Sequence, residues 1–324
     1  MSNTNFSTDI ISSTLHHYGK KLWSNILDKD VLLRVFKEKA MDVVPGGRKL
    51  AYPQIYLSNQ TFESYAGADE IDLSIQQALT HAEYSWAQYA GSVVITGIDL
   101  FKNSGSKEQI LNLLDAKVQQ LEETAVATLS NHIANAASGQ NMLGLKDLFY
   151  CTTASTVGGI AGGTYSYWRN ANAIFTTTYN ASGNFGTSVA GDGMSVMNKM
   201  MKDAAPDGES PDLILTTPII HGFIENVLVS NQRFLGDEAD WGFSSIPFKG
   251  AKIFFDGNIA TSNIFFINSN ATRLVIGKGA NFRPQKVADP ANQDVKVWLY
   301  TIYLQLVTKN RRKNARVGNI GVQG

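Results

Sequence analysis

A single cysteine, Cys151, occurs among 324 residues, so no disulfide can close within the chain and a reducing compartment suits it. Charge is scarce too: Asp, Glu, Lys and Arg make up 17% of the residues, against the ~25% usual for soluble chains. The 28 basic and 28 acidic side chains cancel, so no whole-molecule field draws the chain to nucleic acid or to an anionic membrane. No stretch approaches the ~20 apolar residues a membrane helix needs. Residues 1–13 lack the basic-then-apolar pattern of a secretory signal. What is present is apolar and aromatic surface, 44% and 10% of residues. A chain so poor in charge is expected to have much of its surface covered by neighbours.

The stretch organising the rest is 104–139, read as one long helix. Ser106 and Gln109 form a capping box at its start. Ile110, Leu114, Val118, Leu121, Ala125, Leu129, Ile133 and Ala136 recur at helical spacing as one apolar stripe, and Gly139 supplies the stop. The helix should be a rod of roughly 48 Å backing a sheet or another helix.

Before it, residues 1–18 read as a polar arm and 20–41 as a helix that ends at Val44-Pro45-Gly46-Gly47. Residues 48–100 read as a two-stranded ribbon. Its outgoing strand, 49–57, is marked as an edge by Pro53; its returning strand is 83–96, and a polar tip lies between. A lone ribbon is marginal in water, so its partner is expected on another subunit.

After the rod, Gly158-Gly159-Ile160-Ala161-Gly162-Gly163 reads as a flexible loop. Helices are expected over 194–205 and from Thr217-Pro218 to about 230, a capping residue followed by proline at the first helical position. Strands are expected at 211–215, 251–255, 264–267 and 273–276, with a final pair at 282–287 and 295–307. The order is α+β, without regular βαβ alternation.

Chemistry is thin. His16, His17, His81, His132 and His221 form no zinc-type spacing. The glycine-rich stretch lacks the Gly-Lys-Ser/Thr of a phosphate loop, and Ser188 lacks the closing glycine of a nucleophile elbow. Asp237-Glu238-Ala239-Asp240 lacks calcium-loop spacing. No catalytic, cofactor-binding or metal residue is assigned. The basic run Lys309-Asn310-Arg311-Arg312-Lys313, with Arg316, suggests either phosphate contacts or salt bridges between subunits.

Residues 158–170, from Gly158-Gly159-Ile160 to Thr164-Tyr165-Ser166-Tyr167-Trp168-Arg169-Asn170, resemble the GGI…TYSWWRN signature of many tailed-phage major capsid proteins, a branch of the Hong Kong 97 fold. Residues 211–218 resemble that branch's PDLILTTP block, and residues 243–256 its G-F-x-x-L-x-F-K-G-A-P-V-x-x-D segment. Asn292-Gln293-Asp294 and Asn310-Arg311-Arg312 also match, so the resemblance spans roughly residues 40–318. Gly162-Gly163 depart from it, standing where a charged pair is usual.

The resemblance implies an α+β capsid fold in five parts. These are an N-terminal arm and helix (1–45), an extended loop (46–100), a peripheral domain with the spine helix (101–150), an axial domain (151–276), and peripheral return strands with the C-terminus (277–324). It implies a homo-oligomeric icosahedral shell in the virion, assembled in the host cytoplasm around double-stranded DNA, with portal and scaffolding or decoration proteins as partners. The segment before the ribbon is too short for a fused scaffold, so any scaffold should be a separate protein. An encapsulin-type nanocompartment is the alternative from the same fold; an α+β metabolic enzyme is the alternative from another class. Interface positions implied are Tyr65, Tyr84, Trp86, Tyr165, Tyr167, Trp168, Arg169, Arg311 and Arg312, with Gly46, Gly47 and Gly97 as hinges.

Some relatives cross-link subunits through a Lys–Asn isopeptide bond, but no lysine occurs between Leu50 and Phe101, where the donor would sit. Assembled particles are therefore expected to give one monomer band on a denaturing gel; a ladder would contradict this.

Overall fold

Two large sheets and two two-stranded ones form among the described residues. The computed structural model describes residues 31–102, 113–150, 155–175, 192–229, 246–259, 262–286 and 293–320. Its first half holds α1 (Val31–Lys39), β1 (Met41–Val44), β2 (Leu50–Ile55), β3 (Leu79–Tyr84), β4 (Ala87–Thr96), α2 (Gly97–Lys102), α3 (Leu113–Ala134) and α4 (Leu145–Phe149). Next come β5 (Thr156–Val157), β6 (Ile160–Ala161), a 3-10 turn at Ser166–Trp168, β7 (Ala171–Ile174), α5 (Asp192–Asp203), β8 (Leu213–Thr216) and α6 (Pro218–Val229). The remainder is β9 (Ile246–Phe248), β10 (Ala251–Phe255), β11 (Ile264–Ile267), β12 (Thr272–Gly277), β13 (Arg283–Lys286), β14 (Val295–Thr308), a 3-10 turn at Arg311–Lys313 and β15 (Ala315–Gly318).

The first sheet is five-stranded, ordered β1-β12-β14-β13 with β4 also on β14. Along β4, Val93 and Ile95 are buried while Val94 between them is exposed, the period-two signature of a sheet covered on one face. The covering rod is α3. Gly91 lets it approach, because a side chain there would collide with Leu121. Leu129 and Ile133 are buried, whereas Val118, Leu121 and Ala125 are only half-covered. The rod is thus seated at its C-terminal half. Its expected cap, Ser106 and Gln109, lies outside the described residues.

The second sheet is six-stranded, β7-β15-β11-β8-β10-β9. Its central strands β8 and β11 are buried throughout, as their unbroken apolar sequences require. Ile214, Ile264 and Phe266 pack with Met197, Met200, Ile220 and Ile224 of α5 and α6. The alternate residues Leu213, Leu215, Phe265 and Ile267 join Phe149 and Trp168 in the other core. As expected, α6 begins at Pro218, and Thr217 accepts the Ile220 amide at 3.4 Å.

Three expectations are corrected. The segment read as one returning strand, 83–96, is split: β3 pairs with β2, whereas β4 pairs with β14 along all ten of its residues, from Thr96↔Val295 to Ala87↔Leu304. The boundary placed at 276/277 falls inside β12, which pairs with β1 and β14, and the C-terminal β15 lies in the second sheet rather than with the return strands. The glycine stretch is not a loose loop: Val157 and Ile160 pair across a two-residue turn whose glycines have φ +60° and +78°, the left-handed geometry of a type I′ hairpin.

The chain crosses between sheets just after β14, and the crossing is a buried polar knot. Arg311 is fully buried and donates to Leu148 O at 2.9 Å, Trp168 O at 3.2 Å and Asn170 Oδ1 at 3.1 Å. Asn170 in turn donates to Phe149 O at 2.9 Å. Asn314 Oδ1 accepts from the Asn268 amide at 2.9 Å and from Thr272 Oγ1 at 3.2 Å. A guanidinium supplies several fixed donors, which no apolar residue can replace.

Arg311→Met should therefore leave buried acceptors unpaired and lower subunit stability by about 3 kcal/mol. Guanidinium unfolding of the unassembled subunit checks this, with a shifted midpoint expected at unchanged slope. An unshifted midpoint would remove the knot from its structural role.

Candidate subunit interface

The β2–β3 ribbon is tied to the body along its paired strands and carries a tip whose large apolar side chains are exposed. β2 and β3 pair antiparallel from Leu50↔Tyr84 at the root to Ile55↔Leu79, and Tyr56 N donates to Ala78 O beyond them at 3.0 Å. Its root is tied down on several sides. Tyr84 Oη donates to Thr308 O at 2.9 Å, Trp86 Nε1 donates to Gly47 O at 2.9 Å, and Gln54 Nε2 donates to Lys309 O. The glycine hairpin adds another tie, as Glu83 N donates to Gly158 O at 2.9 Å. A Cβ at Gly158 would stand 3.0 Å from Ala82 Cβ, so this approach requires glycine beyond its positive φ. Tyr56 stacks on Tyr167 with ring centroids 5.6 Å apart, and Tyr165 lies 5.8 Å from Tyr167.

Charge at the root is locally neutralised. Lys49 and His81 lie 2.5 and 2.9 Å from the Glu83 carboxylate, and their hydrogen bonds hold that carboxyl below the usual range. At the base of the sheet, Asp42 bridges Arg273 at 2.6 Å and Lys309 at 3.1 Å. Burial pushes the Asp42 pKa up, but these two cations outweigh it and the net shift is downward.

Beyond Tyr56 the character changes. Phe62, Leu73 and Ile75 are 92%, 88% and 93% exposed. Residues 57–78 also carry Glu63, Asp69, Glu70 and Asp72, and no Lys or Arg. Asp69 accepts the Ala66 amide and Asp72 the Ser74 amide, so the tip has local turns but no apolar cover of its own. A strip this apolar does not stay in water without a partner.

The positions expected at the interface separate into two groups. Tyr65 is 67% and Tyr165 43% exposed, Trp86 and Tyr167 are half-buried, and Arg312 is exposed. Tyr84, Trp168 and Arg311 are corrected: each is buried inside its own subunit, so none can present its side chain to another. Trp168 Nε1 donates to Val157 O at 2.9 Å. Arg169 turns back on the diglycine, donating to the carbonyls of Gly162 at 2.5 Å and Gly163 at 2.8 Å. Two glycines thus offer backbone oxygens to an arginine where a charged pair was expected.

The basic run is also internal. Lys309 pairs with Asp42, Lys313 with Glu209, and Arg316 is buried with its guanidinium on Asn263 Oδ1 at 3.0 Å. Of the hinge candidates, Gly46 and Gly47 have φ of +135° and +133° and are exposed. Gly97 is held: its N–H donates to Asp294 O at 2.9 Å and the Asp294 carboxylate fills the space beside it.

Among the described residues no group of three or more His, Cys, Asp or Glu could hold a metal ion. No described helix is long and apolar enough to cross a membrane. His132 packs on Tyr89 and shares a hydrogen bond with its hydroxyl at 2.9 Å; His221 is buried against Phe255. Burial pushes both imidazoles below the ordinary histidine value. Cys151, His16, His17, Ser188 and residues 237–240 lie outside the described residues.

By sequence, the chain matches no family model and no curated protein. By structure it is similar to the capsid asymmetric unit of cyanophage A-1(L), at 12% identity and TM-score 0.69 over 94% of this chain and 97% of that one. It is similar to the capsid of an empty GTA particle, at 8% identity and TM-score 0.64 over 98% and 97%. It is similar as well to the SrpI encapsulin of Synechococcus elongatus, at 10% identity and TM-score 0.60 over 100% and 98%. The fold is the α+β fold of the Hong Kong 97 type, over essentially the whole chain.

Proposed function

We propose that this protein is the major capsid subunit of a tailed-phage head, assembling into pentamers and hexamers of an icosahedral shell that encloses double-stranded DNA. The observation that carries the reading is the ribbon, whose apolar tip leaves a subunit of shell-protein fold with nothing of its own to cover it. A neighbouring copy completes it, supplying apolar contact in the manner of an added strand or segment. Contacts of this kind are head-to-tail and close into rings by rotation.

The remaining elements take the roles of that fold. The α3 rod is the spine of a peripheral domain built on the first sheet. The second sheet is the core of an axial domain around the five- and six-fold axes. Zero net charge supports a container that holds DNA by confinement, since a basic lining would bind phosphates in a salt-dependent way. No catalysis is needed. Portal protein, and scaffolding or decoration proteins, are the partners in the virion, with assembly in the host cytoplasm. Gly46 and Gly47 are the points about which the ribbon would swing on maturation. Gly97, packed against Asp294, is not retained in that role.

The likeness to an encapsulin supports a second reading, a nanocompartment shell around a protein cargo. The blocks around Gly158–Asn170 and Pro211–Pro218 favour the phage head.

Negative-stain microscopy of the purified, overexpressed protein tests the proposal. Closed shells or five- and six-membered rings are expected, and their nucleic-acid content separates phage head from nanocompartment. A subunit that stays monomeric or dimeric even when co-expressed with its neighbouring genes would overturn the proposal.

A further inference from the structure

The tip has chemistry that one groove on the body answers. The groove lies where the β1–β2 connection, the start of β4 and the β12–β13 connection meet, with a volume of about 340 Å³. Trp86 and Tyr303 line it, Tyr303 being 39% exposed, and Lys278 and Arg283 stand at its edge. Lys278 and Arg283 are both exposed, and neither forms a salt bridge among the described residues.

The groove is built in advance. Its far wall is pinned by Lys278 N to Val44 O at 2.8 Å and by Tyr303 N to Ala280 O at 3.2 Å, with Gly279 at φ +73° making the turn. The Trp86 indole is fixed by its bond to Gly47 O. A preformed aromatic floor flanked by two cations, Lys278 and Arg283, is a receptor for something apolar and acidic.

Residues 57–78 fit that description: exposed Phe62, Leu73 and Ile75 beside four carboxylates and no Lys or Arg. Asp69 and Asp72 are engaged in their own turns, which leaves Glu63 and Glu70 to reach outward. The tip cannot fold onto its own groove. Gly47 and Trp86 flank the ribbon root, and six paired residues of β2 and β3 hold the tip roughly 20 Å away.

We infer that the groove around Trp86, Lys278, Arg283 and Tyr303 receives the ribbon tip of a second copy. Glu63 and Glu70 then pair with its cations, and Phe62, Leu73 or Ile75 cover its aromatic floor. This rests on the reading of the chain as a shell subunit and adds to it the landing point. Each copy offers a tip at one end and a groove at its ribbon root, so the contact is head-to-tail and repeats around a ring.

Reciprocal charge reversal tests the pairing. Lys278→Glu with Arg283→Glu should abolish shell formation, as should Glu63→Lys with Glu70→Lys on the tip. The four changes together should restore shells, read by size-exclusion chromatography and microscopy of chains shown to be folded by circular dichroism. The tip variant alters exposed residues only, so it stays informative if the groove variant misfolds.

A second readout needs no reversal. In a Cys151→Ala background, shells of a chain carrying both Glu70→Cys and Lys278→Cys, treated with a short bismaleimide, should give a ladder of linked subunits absent from either single variant. Failure of wild-type chains to form shells would defeat the shell reading itself. Wild-type shells combined with normal assembly of the tip variant, no rescue in the fourfold variant, or no ladder would overturn the groove alone. The tip would then dock elsewhere on a copy or on another protein.

Discussion

The buried guanidinium of Arg311 joins the two halves of this molecule. The last long strand leaves the first sheet, turns through three residues and enters the second, and at that turn Arg311 binds oxygens from α4, the Ser166–Trp168 turn and Asn170. Thr308, Thr272, Asn314 and Asn268 surround it with hydrogen bonds. The ribbon root is fastened to the same place, through Tyr84 to Thr308 and Gln54 to Lys309. One polar knot therefore ties β14, the turn after it, α4 and the ribbon together. Buried polar groups specify a geometry only when all are paired, and here the pairing spans residues far apart in the chain.

That arrangement divides the molecule into a fixed part and an unfinished part. The second sheet is covered on both faces, and the first is covered where α3 is seated. Ahead of Leu129, α3 keeps Val118, Leu121 and Ala125 half-exposed, and the tip keeps Phe62, Leu73 and Ile75 almost fully so. Low charge allows those surfaces to meet neighbours without a large desolvation cost. The unpartnered apolar surface is what association would remove from water.

Much of this was legible in the residues. Thr217-Pro218 announces α6, and the unbroken apolar runs announce β8 and β11. The ribbon's end is hidden in the sequence because alternation continues from Glu83 to Thr96, and a period of two does not register the change of partner at Ser85-Trp86. The hairpin at Gly158-Gly159 has a readable signal, two glycines between Val157 and Ile160. Arg311 gave no such signal. An arginine in a basic run reads as surface, and only the three-dimensional return of α4 and the Ser166–Trp168 turn shows that its partners are backbone oxygens. Tyr84 in the ribbon and Trp168 in its motif read as anchors for a neighbour, whereas each is buried in its own core.

Completion of residues 57–78 by another subunit is tested most directly by amide hydrogen exchange across that segment, compared between dissociated subunits and purified assemblies. Rapid exchange is expected in the free subunit and strong protection on assembly, while residues 50–55 and 79–84 are protected in both. Equal, rapid exchange of the tip in both states would contradict it.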